Sequence, residues 1–313
     1  MHVLVLGAGG TGGYFGGRLA AAGTGIHFLV RPARAARLRE HGLRLRSPLG
    51  DADLAVATTT ADGLPALVAE RPFDLVILGC KAYDLDSAVA AIAPAVGAAT
   101  TVLPILNGLM HYDVLDAAFG RDRVAGGLCF ISAMLDGEGR VLHMGRPASM
   151  TWGLRSGNRD TGVLASLQAA CAAAGIDHHY TRDIGAAQWI KYSFLAALAA
   201  GTCLMRGSVG DIVASEGGAA FMAGLHGECL AVADAEGHPV PASEIETARA
   251  ALTRAGSTVT ASMLRDLRAG QQVEALQIVG DMVHRAGRAG LEVPLLQAAW
   301  AHLQVYEAGR AGA

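Results

Sequence analysis

The chain has 313 residues, a formal net charge of −3 and 17% charged residues, which excludes the strongly basic face of a nucleic-acid binder or of a protein held on an anionic membrane. Its length exceeds what one hydrophobic core usually serves and predicts two domains, and the high apolar share (52%, only 5% aromatic, much of it Ala) predicts close-packed helices. The five cysteines at 80, 129, 171, 203 and 229 are scattered and odd in number, which predicts reduced thiols in a cytoplasm and not a disulfide framework.

The first element is a buried strand, Val3-Leu4-Val5-Leu6, that runs straight into Gly7-Ala8-Gly9-Gly10-Thr11-Gly12. A strand, a G-x-G-x-x-G loop and a helix in that order place backbone N–H groups where a pyrophosphate can sit. Gly7 allows the tight turn, Gly9 the approach of the phosphates, and Gly12 the close packing of helix on sheet. A helix is expected over 13–22, a stop at Gly23-Thr24-Gly25, and a second strand over 26–30, completing a βαβ unit. No Asp or Glu stands between Gly12 and Glu40, where a ribose 2′-hydroxyl is usually held; Arg31 follows the strand instead, then Arg34 and Arg37. A carboxylate repels a 2′-phosphate and a guanidinium pairs with one, so the expected cofactor is NADPH, with Arg31 as its reader and Arg34 and Arg37 on a solvated helix face.

Further along come a helix near 33–41, a hairpin from 43–46 and 54–57, strands at 74–78 and 102–106, and a helix over 84–93 between them. This alternation predicts a mostly parallel sheet with helices on both faces, and ligands in such sheets gather beyond the carboxyl ends of the strands. Lys81 and Asn107 each stand just past such an end and are expected on the cofactor side. Gly-punctuated segments at 124–131, 140–144 and 150–154 predict antiparallel strands that extend this sheet. A helix at 161–173 and a strand at 176–180 close the half. Beyond about 183 helical spacing dominates. The expected fold is α/β plus all-α, with a Rossmann-like domain over 1–181 and a helical domain over 182–313.

With these pieces in place the chain resembles the ketopantoate reductase (2-dehydropantoate 2-reductase) family. The matching stretches are the glycine loop 7–12; Leu29-Val30-Arg31; Lys81-Ala82-Tyr83; Leu106-Asn107-Gly108; Gly126-Gly127 with Gly139-Arg140-Val141-Leu142-His143; Trp189-Ile190-Lys191; and Ser262-Met263-Leu264-Arg265-Asp266 followed by Glu274. The resemblance implies a Rossmann-like and a helical domain with the active site between them. It implies hydride transfer from NADPH to a 2-oxo acid, with Lys191 as proton donor and Glu274 as the second catalytic residue, holding the lysine or the substrate hydroxyl. Ser262 is implied to bond the substrate carboxylate, Asn107 the nicotinamide ribose region or the substrate, and Lys81 the cofactor's adenosine phosphate. The cofactor set is then Gly7, Ala8, Gly9, Gly10, Thr11, Gly12, Arg31, Lys81 and Asn107.

One departure bears on the substrate. The family usually carries asparagines one and two helical turns after its lysine, on the same helix face. Here those substrate-facing positions are Leu195 and Ala199. The cofactor and proton donor are untouched by this change. The substrate is then ketopantoate, with compensation from neighbours such as Ser193 or Thr202, or it is another 2-oxo acid or a bulkier, less polar ketone. A third reading is a nucleotide-binding regulator without turnover; retention of both Lys191 and Glu274 argues against it. No metal-ligand spacing, G-x-S-x-G or P-loop lysine occurs, and His111, His143 and the His178-His179 pair read as structural. No targeting segment is visible, and the longest apolar run is too short to cross a bilayer. The expected partner is a small 2-oxo acid, with neither nucleic acid nor membrane; the Ala-rich helical domain could pair with a second copy in a homodimer or equally cover the first domain's sheet, so the oligomeric state stays open.

Overall fold

A computed structural model describes residues 1–311, which form two compact units. The first holds Met1–Leu106 and His111–Ile184; the second holds Asn107–Met110 and the chain from Gly185 onward.

In the first unit, β1 (His2–Leu6), β2 (Gly25–Leu29), β5 (Ala57–Thr59), β6 (Leu75–Leu78) and β7 (Thr101–Pro104) form a five-stranded sheet in the order β5-β2-β1-β6-β7. All four pairings are parallel. The strands of an all-parallel sheet are covered on both faces, which is why Val3, Leu4, Val5, Leu75, Val76 and Leu78 are all apolar and fully buried. The connections are α1 (Gly10–Ala21), α2 (Pro32–His41), α3 (Leu64–Glu70), α4 (Leu85–Ile92) and α5 (His111–Phe119).

The antiparallel strands were expected to extend this sheet. Only the start of the first does so, through a parallel bridge of Val124 to Val102 of β7; the strands themselves build a second sheet. Residues 140–144 and 150–154 belong to one long strand, β9 (Val141–Gly153), which pairs antiparallel with β8 (Gly126–Leu135). On its other edge β9 pairs parallel with β10 (Asp177–Tyr180) and with β3 (Leu43–Arg46), and β3 pairs antiparallel with β4 (Ala52–Leu54). The hairpin expected from 43–46 and 54–57 therefore ends at Leu54; residues from Ala57 cross to the first sheet as β5. α6 (Val163–Ala173) precedes β10. His178 and His179 lie on β10, where the His178 ring stacks on Trp152 with centroids 5.7 Å apart.

Helix α1 touches both sheets, and its glycines record the fit. A Cβ at Gly16 would stand 2.7 Å from Phe28 of the parallel sheet, and one at Gly17 would stand 2.9 Å from Leu43 of the second sheet. One at Gly13 would stand 2.8 Å from Val141, and one at Gly10 would stand 2.5 Å from the Ala133 carbonyl. The helix starts at Gly10, three residues earlier than expected, so Gly10 is helical and not loop. Glycine costs about 1 kcal/mol of helix propensity at each interior position. Here it lets one helix backbone lie against two layers.

The second unit is helical: α7 (Ile184–Met205), α8 (Val209–Val213), α9 (Gly218–Ala235), α10 (Ala242–Leu252), α11 (Ser262–Arg268), a π-helical turn at Leu276–Gly280, α12 (Asp281–Arg288) and α13 (Pro294–Ala311). Its core joins Ala196, Ala197, Ala199, Ala200 and Cys203 of α7 to Met222, Leu225, Cys229 and Val232 of α9 and to Leu296, Ala299 and Leu303 of α13. The alanine run of α7 is what allows neighbouring helices to approach it. Burial raises the Cys171 and Cys203 thiols to about 12, which keeps them protonated. Among the described residues no helix is long and apolar enough to cross a membrane.

The glycines of α1 yield a direct test. Gly16→Val is expected to destabilise the protein by about 1–3 kcal/mol through overpacking against Phe28 and Val5. Gly287→Ala, in α12 with open space around it, is expected to be neutral or stabilising by up to about 1 kcal/mol. Urea unfolding of both variants measures the contrast.

Candidate functional site

The glycine loop of the first unit joins β1 to α1. Gly7 sits at φ +87°, a left-handed conformation open to glycine, and its N–H donates to the Leu29 carbonyl at 2.9 Å. That bond turns the chain at the carboxyl end of β1. A Cβ at Gly12 would stand 2.4 Å from the Gly7 carbonyl, so Gly12 closes the loop on itself more than it packs on the sheet. Around Gly9 there is open space on the Cβ side. Gly9 is also the N-cap of α1, with no side-chain cap and no acidic residue in the first turn. The positive end of the helix dipole is thus left for an outside anion. These features fit the pyrophosphate of a dinucleotide.

Arg31 is the N-cap residue of α2, its side chain 80% exposed. Its guanidinium meets the carboxylate of Asp84 at 3.3 Å. Asp84 ends a short 3₁₀ turn, Ala82–Asp84, whose N-cap residue is Lys81. Lys81 thus stands beyond β6 on the same strand-end side as Arg31. Arg34, expected on a solvated face, does structural work instead. It donates to the Ala8 carbonyl at 2.8 Å and to the Gly139 carbonyl at 2.9 Å, tying the glycine loop to the tip of the β8–β9 hairpin. Arg37 donates to Gly137 and Arg44 to Glu138 at the same tip. Burial, then the charges of Arg37 and Arg44, lowers the Arg34 pKa. The only sequence signal for Arg34 was its place one helical turn beyond Arg31. His143 is structural, as expected: it is buried, with one ring nitrogen 2.8 Å from Ser47 Oγ and the other 3.1 Å from the Pro147 carbonyl.

The second unit gathers the other candidates. Lys191 and Glu274 are both buried. Lys191 Nζ donates to Asn107 Oδ1 at 3.1 Å. Asn107 stands just past the carboxyl end of β7, as expected, and the segment Asn107–Met110 belongs to the helical unit, with Leu109 packed against its core. The next residue explains the placement. Gly108 has φ +75°, and a Cβ there would stand 2.3 Å from the Gln277 carbonyl in the π-helical turn. Only glycine lets the chain come this close while holding Asn107 toward the lysine. Ser262 is the first residue of α11, half-buried, and the helix is capped by Ala261.

Leu195 is half-buried and packed against the helical core, and Ala199 is fully buried within it. The two polar neighbours expected to compensate do not. Ser193 Oγ donates to the Trp189 carbonyl at 2.8 Å and Thr202 Oγ1 to the Leu198 carbonyl at 2.6 Å, and both residues are fully buried. Hydroxyls in helices often return to the preceding turn in this way. The lysine is therefore followed along its own face by apolar side chains alone at these positions.

Comparison with known proteins places these residues in context. The family model for ketopantoate reductase PanE/ApbA matches residues 3–157, and the model for the C-terminal part of that family matches residues 183–307. An uncharacterized oxidoreductase, YkpB, of Bacillus subtilis is 36% identical over 98% of this chain and 99% of its own. A 2-dehydropantoate 2-reductase of Halobacterium salinarum is 32% identical over 95% of this chain and 96% of its own. Among solved structures, a PanE/ApbA family ketopantoate reductase from Ralstonia eutropha JMP134 superposes with a TM-score of 0.86 at 29% identity, covering 99% of this chain and 100% of that one.

Gly108→Ala is expected to cost about 2 kcal/mol or more, from its positive φ and its contact with the Gln277 carbonyl. Denaturant unfolding of the variant measures this loss.

Proposed function

Because the chain belongs to the ketopantoate reductase PanE/ApbA family, a family of NAD(P)H-dependent reductases of small 2-oxo acids, we propose that it reduces ketopantoate to pantoate, with NADPH as its cofactor and Lys191 as its proton donor. The observation that carries this reading is the buried Lys191 ammonium, the one charged residue of α7, fixed by Asn107. A buried cation is costly unless it is used or paired. The Asn107 amide accepts a hydrogen bond from the ammonium and orients it.

When bound, the reduced nicotinamide supplies the hydride. Negative charge then develops on the carbonyl oxygen of the substrate, and a positioned donor lowers the barrier to its formation. Lys191 stabilises that oxygen through its ammonium and then gives it a proton. Asn107 fixes the direction of Nζ. Glu274, a buried carboxylate, holds the lysine or the new hydroxyl, and Ser262 bonds the substrate carboxylate. In the first unit Gly7, Ala8, Gly9, Gly10, Thr11 and Gly12 hold the pyrophosphate. Arg31 and Lys81 hold the phosphorylated adenosine end.

A second reading concerns the side chain of the substrate. Leu195 and Ala199 offer no side-chain hydrogen bond, and the buried hydroxyls of Ser193 and Thr202 donate to their own helix, that of Thr202 also accepting from the Ala261 N–H at 3.4 Å. This favours a 2-oxo acid with a less polar tail than ketopantoate, reduced by the same chemistry.

Lys191→Ala is expected to lower kcat about 10²- to 10⁴-fold while leaving the dissociation constant of NADPH within about twofold. Steady-state kinetics beside equilibrium titration measures both, and an unchanged kcat removes Lys191 as donor. For the cofactor, Arg31→Ala is expected to weaken NADPH about tenfold or more and to leave NADH nearly unchanged. Asp84→Asn frees Arg31 from its ion pair and is expected to tighten NADPH by up to about fivefold, the range of an exposed pair. Equal effects on both dinucleotides, read by fluorescence titration, exclude Arg31 as the reader of the 2′-phosphate.

A further inference from the structure

The π-helical turn at Leu276–Gly280 starts two residues after Glu274, with Ala275 as its N-cap. Such turns insert one residue into a helix, displace carbonyls from their ordinary partners and recur at functional sites. Here two of those carbonyls face other elements. Tyr192 Oη donates to the Ile278 carbonyl at 2.8 Å and lies 3.5 Å from the Gln277 carbonyl. The Gln277 carbonyl also forms the wall against which Gly108 is packed. Tyr192 follows Lys191 in sequence, and Gly108 follows Asn107. The turn therefore touches the immediate neighbours of both residues in the Lys191–Asn107 bond. It is joined to the third candidate as well, since the Ile278 N–H donates to the Glu274 carbonyl at 3.1 Å.

Tyr192 is itself held from behind. It is buried, and its hydroxyl lies 3.1 Å from Asp281 Oδ2. Asp281, also buried, is paired with Arg285 Nε at 2.9 Å, and Arg285 reaches Glu236 at 2.7 Å. The single hydroxyl proton is shared between the Ile278 carbonyl and the Asp281 carboxylate. Burial first, and the Asp281 charge next, keep the Tyr192 pKa well above its ordinary value, so the phenol stays a donor. A phenol of this kind is not available as an acid in the reaction.

We propose that Tyr192 is a positioning residue: anchored by Asp281 and Arg285, its hydroxyl fixes the π-helical turn and so sets Asn107 and Glu274 in register with Lys191. The proposal rests on the reading of Lys191 as proton donor. The mechanical part of it stands on the hydrogen bonds alone.

Tyr192→Phe removes the hydroxyl and keeps the ring. It is expected to lower kcat about tenfold to a hundredfold, the scale of a small misplacement of reacting groups. KM for the 2-oxo acid and the dissociation constant of NADPH are expected to stay within about threefold. Hydrogen–deuterium exchange is expected to rise at residues 107–110 and 277–281 ahead of the rest of the helical unit. A kcat unchanged within about twofold, or exchange that rises evenly over the whole helical unit, overturns the proposal. If the wild-type chain reduces no 2-oxo acid, the functional reading fails and the exchange measurement alone decides on positioning. Arg285→Lys loosens the hold on Asp281 and leaves the hydroxyl in place. It is expected to raise exchange at the same amides by less, and it serves where Tyr192→Phe fails to fold. No change at those amides overturns the proposal.

Discussion

The first unit depends on one steric constraint: helix α1 lies against two sheets at once and has almost no room for side chains where it meets them. Gly10, Gly13, Gly16 and Gly17 each face a neighbour that a Cβ would crowd. The same constraint shapes the proposed binding loop. A helix drawn this close to β1 begins soon after the tight turn at Gly7, and its N-terminus is capped by Gly9. The result is a helix end without a side-chain cap and with open space at Gly9, which suits a phosphate group. Packing and the proposed dinucleotide site thus make the same demand on the same loop. Arg34 adds the brace that keeps the loop and the β8–β9 hairpin together.

The second unit solves a different problem, the placing of charged groups in an alanine-packed interior. Lys191, Glu274 and Asp281 are all buried there. Asp281 is paired with Arg285, whose planar fork reaches Glu236 as well. Lys191 is held by the Asn107 amide, delivered by the short segment Asn107–Met110. The arginine thus ties charged groups of the helical unit together, and the lysine is oriented by a segment inserted from the loop after β7.

Much of this was legible in the sequence, and the failures have local causes. The strand–loop–helix start was readable because apolar run, glycine spacing and helix follow in order. Membership of a sheet is not encoded in a strand. Residues 141–153 read as two strands because Gly145, Arg146 and Pro147 interrupt the apolar pattern, yet the backbone continues through them with all three exposed. The hairpin at β3–β4 was placed two residues late because Leu54 and Ala57 look like one segment, whereas the chain crosses between sheets there. In the site, Lys191 stood out as an isolated charge in an apolar run. The partnership of Asn107 with it was hidden, since it depends on a glycine contact with a carbonyl far away in sequence. The π-helical turn has no periodicity of its own to read. Ser193 and Thr202 show the opposite error: a hydroxyl near a site in sequence is consumed by its own helix in the fold.

The most direct test of the account is the oxidation of reduced nicotinamide by the purified chain, followed by its absorbance, with NADPH and NADH compared against ketopantoate and a panel of less polar 2-oxo acids. The account predicts turnover that prefers NADPH and requires a 2-oxo acid. The member of the panel turned over best identifies the tail that the Leu195 and Ala199 face accepts. Tight binding of the dinucleotide with no oxidation by any 2-oxo acid would contradict it and leave a nucleotide-binding protein without this chemistry.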